Sequence, residues 1–118
     1  MTENLPELIY KITTSELWAD AQVTGQLKGM PIDEADGYMH FSTAAQLRET
    51  LRLHFKGQNN LFVLAVATNE VADKLKWEPS RGGDMFPHLY GPLAVSVIKL
   101  ATPASVDENG NAHLSEAK

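Results

Sequence analysis

Leu61-Phe-Val-Leu-Ala-Val-Ala67 is apolar from end to end and is bounded on its N-terminal side by the turn-forming segment Lys56-Gly-Gln-Asn-Asn60. A run of this length between turn signals is too short to span a bilayer and reads as a strand covered on both faces. A strand needing cover on two sides must lie inside a sheet, with layers above and below it. In a chain of 118 residues, that describes one domain with one core, because two independent cores would need more chain.

The rest of the chain is read around that strand. Leu8-Ile-Tyr-Lys-Ile12 follows Pro6 and is rich in strand formers, so it predicts a first strand. Thr13-Thr-Ser-Glu16 fits a capping box and predicts a helix from about Thr14 to Val23, with Leu17, Trp18 and Ala21 on its apolar side. Gln26–Gly37 reads as a loop whose Asp33, Glu34 and Asp36 are solvated, since their spacing lacks the order of a calcium loop. Tyr38–Ser42 predicts a second strand, with Met39 and Phe41 toward the core and Tyr38, His40 and Ser42 on the other face. Thr43-Ala-Ala-Gln46 is a second capping pattern, opening a helix to about Phe55 with Ala44, Leu47, Leu51 and Phe55 at helical spacing. Asn69–Leu75 predicts a short helical turn, Lys76–Glu78 a short extended piece, Pro79–Asp84 a loop, and Ala94–Leu100 a final strand. The expected domain is residues 8–103, preceded by an extension over 1–7 and followed by a flexible polar tail over 104–118. Helices and strands in this order predict an α+β fold with a small mixed or antiparallel sheet and two main helices.

Composition limits the functions available. The chain has no cysteine, which removes disulfides, thiolate catalysis and cysteine-based metal sites. That usage fits a reducing cytoplasm, and neither a secretory leader nor a membrane span is expected. A net charge of −5 gives no general attraction to nucleic acid or to an anionic membrane. Arg48, Arg52 and Lys56 form one helical stripe that reads as a solvated face.

Chemistry is best sought in two segments, Gly37-Tyr-Met-His-Phe-Ser-Thr43 and Phe86-Pro-His-Leu-Tyr-Gly-Pro-Leu93. Around His88 and Tyr90, Pro87, Gly91 and Pro92 stiffen what reads as a loop suited to presenting side chains to a ligand. Tyr90 offers a ring to stack a flat heterocycle and a hydroxyl to orient it. His40 and Ser42 share a strand face, but no Gly-x-Ser-x-Gly elbow accompanies them, so a serine hydrolase is not favoured. His40 and His88 with an acid would suffice for zinc or iron, yet no His-x-His or His-x-x-x-His spacing is present and no metal is assigned. His54 and His113 carry no functional expectation.

Taken together, Ile9-Tyr-Lys-Ile12, Trp18, the two histidine segments, Leu61-Phe-Val-Leu64 and Trp77-Glu78 resemble the small bacterial family called domain of unknown function 952, over about Leu8 to Pro103. The resemblance implies an ADP-ribosyltransferase-like fold, with NAD as a possible ligand in a cleft between small sheets. It implies catalytic roles for His40, His88 and Glu78, and ligand contacts for Lys11, Ser42 and Tyr90. Many members resemble Ile-Tyr-His-Ile where this chain carries Lys11, which would donate to ribose or phosphate as a point charge. The alternative is a non-catalytic domain binding a small metabolite or a peptide through the same cleft.

Overall fold

The computed structural model describes residues 6–115. The first five residues of the expected N-terminal extension, and the last three of the expected tail, lie outside the described residues.

Leu61–Ala67 is strand β4, counting β1 (Leu8–Thr14), β2 (Gln26–Leu27) and β3 (Met39–His40) before it. After it come β5 (Leu75–Pro79), β6 (Met85–Leu89), β7 (Leu93–Ala94), β8 (Ile98–Val106) and β9 (Ala112–Leu114). β4 lies inside an antiparallel sheet of order β1-β4-β8-β9. Its alternating side chains feed two apolar layers of the one domain, one on each face of the sheet, as an uninterrupted apolar run requires. Leu64 and Val66 pack with Ile9, Met39, Phe41 and Leu89 on one face, while Leu61 and Val63 pack with Ile12, Leu47 and Leu51 on the other.

Three helices are interleaved: α1 (Ser15–Thr24), α2 (Pro31–Asp36) and α3 (Ala44–His54). The hydroxyl of Thr14, one residue later than the expected cap, accepts from Leu17 N at 3.1 Å. Thr43 and Gln46 form the expected reciprocal box, at 3.0 and 3.3 Å. Leu47 and Leu51 of α3 are buried, whereas Ala44 is exposed, one turn too early to reach the sheet.

A second sheet, order β3-β6-β5, carries the histidine segments. Here the structure departs from the expected stiff loop: residues 85–89 are the middle strand of that sheet. Pro87 hid this, since proline is rare in an interior strand. Its missing N–H falls where β3 ends, so the Phe41 N–H reaches the Pro87 carbonyl at 3.0 Å but no return bond forms. β2 pairs with β7 as a separate two-stranded ribbon, so Ala94–Leu100 is not one strand: a 3₁₀ turn at Val95–Val97 divides β7 from β8.

The flexible tail expected from residue 104 is instead structured as far as the described residues extend. β8 runs on to Val106, and β9 pairs back on it after a turn at Asp107–Gly110. Ala104 and Val106 are buried beneath α3. No helix among the described residues is long and apolar enough to cross a membrane.

Candidate functional site

The register of the second sheet brings the two segments together. His40 on β3 is the direct partner of His88 on β6, and their ring centroids are 5.4 Å apart. Both line a cavity of about 520 Å³, as do Tyr38 and Ser42 from the same strand face as His40. Tyr38 packs against three rings, with centroids 4.3 Å from His88, 4.7 Å from His40 and 5.0 Å from Tyr90.

His88 is 3% exposed, and its Nδ1 lies 2.7 Å from Oε1 of Glu78 across the β5–β6 pair. Tyr90 donates its hydroxyl to the same oxygen at 2.8 Å. A carboxylate only accepts, so His88 carries a proton on Nδ1, and a ring with that proton alone presents its lone pair at Nε2. Those two hydrogen bonds, His88 first, hold Glu78 below the usual carboxylate range. The same bond from the other side pushes the Tyr90 phenol up to about 12.

His40 is held by the same device. Its Nδ1 lies 2.7 Å from Asp33 Oδ1, and its Nε2 lies 3.0 Å from Asp36 Oδ2. Both carboxylates only accept, so a ring protonated on both nitrogens satisfies both contacts and a neutral ring satisfies one. Asp33 corrects the expectation of a solvated loop. Residues 31–36 are helix α2, and Asp33 is 3% exposed. Oδ2 of Asp33 accepts from Lys11 Nζ at 2.6 Å and Met30 N at 2.7 Å. Oδ1 accepts from His40 N at 3.0 Å as well as from the ring. Both oxygens are thus doubly bonded, which is how a buried carboxylate is tolerated.

Burial alone would raise the Asp33 pKa, but the His40 hydrogen bond and then the Lys11 charge outweigh it and bring it from 3.8 to about 2. A depressed folded-state pKa stabilises the fold above the unfolded value and ceases to do so below the folded one. Stability therefore falls by about 2 kcal/mol as pH drops from 4 to 2. Chemical denaturation at stepped pH checks this: in Asp33→Asn that part of the acid limb is absent.

Lys11 was expected to reach a ligand. Its side chain is 3% exposed, and its ammonium is engaged by Asp33 and by the His40 carbonyl at 3.1 Å. Desolvation by burial lowers its pKa against the pull of Asp33. It borders the cavity as the base of the Asp33–His40 cluster, not as a free donor. Ser42 also borders the cavity, and its hydroxyl donates to Thr50 Oγ1 at 3.2 Å. Glu78 and Tyr90 stand behind His88 and are not among the described residues lining the cavity. Among the described residues no group of three histidines or acids is placed to hold a metal ion. Sequence reading missed Tyr38 as the ring shared by both histidines, and it missed Asp33 and Asp36. Asp33, three residues after Met30 and just past Pro31, carried a helix-start signal that would have located it.

The family model described as "Protein of unknown function (DUF952)" matches residues 12–101. Among solved structures, the crystal structure of protein CC0527 from Caulobacter crescentus is similar. It is 42% identical, with a TM-score of 0.84 over 90% of this chain and 93% of that one. The solution structure of CC0527 aligns over 90% and 91% with a TM-score of 0.79. No curated protein matches.

Proposed function

The chain belongs to the DUF952 family of proteins of unknown function, and we propose that its cavity takes a small nucleoside-like molecule on which His88 moves a proton. One observation carries this reading. Two imidazoles from separate segments meet on a 520 Å³ cavity, each held through Nδ1 by a carboxylate at 2.7 Å. The volume lies within the range of small-molecule sites. The orientation is the one in which an imidazole acts as general base, the carboxylate behind it steadying the charge that forms.

Applied to an N-glycoside, the step balances simply. A water oxygen bonds to the anomeric carbon, its proton passes to Nε2 of His88, and the C–N bond breaks with its electron pair leaving on the base. Glu78, through its bond to His88, is a positioning residue in this scheme. Tyr38 and Ser42 supply a ring and a hydroxyl along the cavity wall. ADP-ribosyl transfer from NAD, on an ADP-ribosyltransferase-like fold, is the form of this chemistry that the family resemblance implies.

Nicotinamide release from NAD and from nicotinamide riboside, with calorimetric titration of both, tests the reading. Binding of at least one compound, with release from it, is expected. No binding of either at millimolar concentration overturns the proposal. Binding without release overturns the catalytic half and leaves a metabolite-binding domain.

A further inference from the structure

We propose that this cavity selects against phosphate, so that its ligand is a neutral or cationic nucleoside or heterocyclic amine and not a nucleotide. The inference rests on the small-molecule reading of the same site and narrows it.

A nucleotide's phosphates need cations or unpaired backbone N–H groups. Among the described residues lining the cavity, Lys11 is the one lysine and there is no arginine. Its ammonium is buried on Asp33 and on the His40 carbonyl, so it has no free face for a phosphate. Helix N-termini do not substitute. The Met30 N–H at the start of α2 is already bound by Asp33. The first turn of α3, Ala44 and Ala45, faces a different cleft of about 360 Å³.

The charge around the cavity is of the opposite kind. Asp36 lines it with a side chain 42% exposed, and its recorded bond to His40 uses Oδ2 alone. Glu78 lies directly behind His88. The phenol of Tyr38, between them, is pushed up first by burial and then by the negative charge of Asp36 and Glu78. A phosphate entering here would meet the Asp36 carboxylate, with Glu78 behind His88, and no free ammonium or guanidinium among the described side chains that line the cavity. A cationic ring would meet Asp36 and the faces of aromatic residues such as Tyr10, Tyr38 and Phe41.

A binding site, and not only an acidic surface, is indicated by His88. It is 3% exposed and lines the cavity, and its Nε2 makes no hydrogen bond among the described residues while Nδ1 is bound to Glu78. Nε2 stays open to the cavity, where a ligand can hydrogen-bond to it.

Within each nucleoside–monophosphate pair the test keeps base and ribose constant and varies only phosphate, and NAD adds the full dinucleotide. Nicotinamide riboside, its 5′-monophosphate and NAD are titrated calorimetrically into the full chain, alongside adenosine and its 5′-monophosphate. Each nucleoside is expected to bind, and the first added phosphate to weaken it about tenfold. In Asp36→Asn, a change at an exposed position, nicotinamide riboside should weaken about threefold to fivefold while adenosine stays within twofold. Tighter binding of either monophosphate than of its nucleoside overturns the inference and leaves the small-molecule site standing. Failure of all five compounds to bind overturns that site, and the inference with it.

Discussion

Replacing Asp33 by alanine lowers the free energy of unfolding by about 3–5 kcal/mol, the cost of removing one partner from a buried ion pair. The reason is the company Asp33 keeps. Lys11 sits on β1 between Tyr10 and Ile12, opposite Leu64 of the central strand, with its ammonium held by Asp33 at 2.6 Å. Without the carboxylate, a buried cation retains only the His40 carbonyl. The N–H groups of Met30 and His40 lose their acceptor at the same time. Against a typical total stability of about 5–15 kcal/mol, this is a large fraction. Lys11→Met in the same background removes the stranded charge, so the double variant should recover about 2 kcal/mol relative to the sum of the single changes. Urea unfolding of the four proteins checks the cycle. A loss below about 1 kcal/mol for Asp33→Ala would mean that Asp33 is solvated after all.

The second large effect falls on His88. His88→Ala lowers single-turnover nicotinamide release by about 10²–10⁴-fold, the usual contribution of a positioned general base. Binding of the nucleoside, measured by calorimetry, should change far less, because Tyr38, Ser42 and the apolar wall remain. Glu78→Gln should act on the same step more mildly. It leaves an acceptor near Nδ1 and removes the charge that steadies the protonated ring, so its effect should appear in kcat and not in KM. Equal losses of binding and turnover in His88→Ala would assign His88 to ligand contact alone.

Much of this arrangement could be read from residue order. The apolar run of β4 announced an interior strand because it has no polar face to give to water. The alternation Tyr38-Met-His-Phe-Ser42 put Tyr38, His40 and Ser42 on the face that meets the cavity, although Phe41, expected in the core, borders it as well, and the capping pattern at Thr43–Gln46 marked the start of α3. What escaped reading was set by pairing at a distance. Nothing local shows that His40 lies opposite His88, because the register between β3 and β6 is made by the whole sheet. Pro87 disguised the middle strand as a loop. Asp33 read as solvent-exposed because three acids in a short polar stretch usually are. Its burial follows from a lysine twenty-two positions earlier. Lys11 itself read as a donor waiting for a ligand, since the acid that occupies it was assigned elsewhere. At the end of the chain Asn109-Gly110 carried a turn signal, but a three-residue strand of alanine, histidine and leucine is too short to show a pattern.

The central claim is that His40 and His88 share one ligand-accessible cavity. Histidine ring resonances, followed by ¹H–¹³C NMR during titration with adenosine, test it most directly. The ring signals of His40 and His88 should move together along one saturation curve, while those of His113, on β9 and not among the residues lining the cavity, stay in place. Shifts confined to His113, or to one member of the His40–His88 pair, would contradict it.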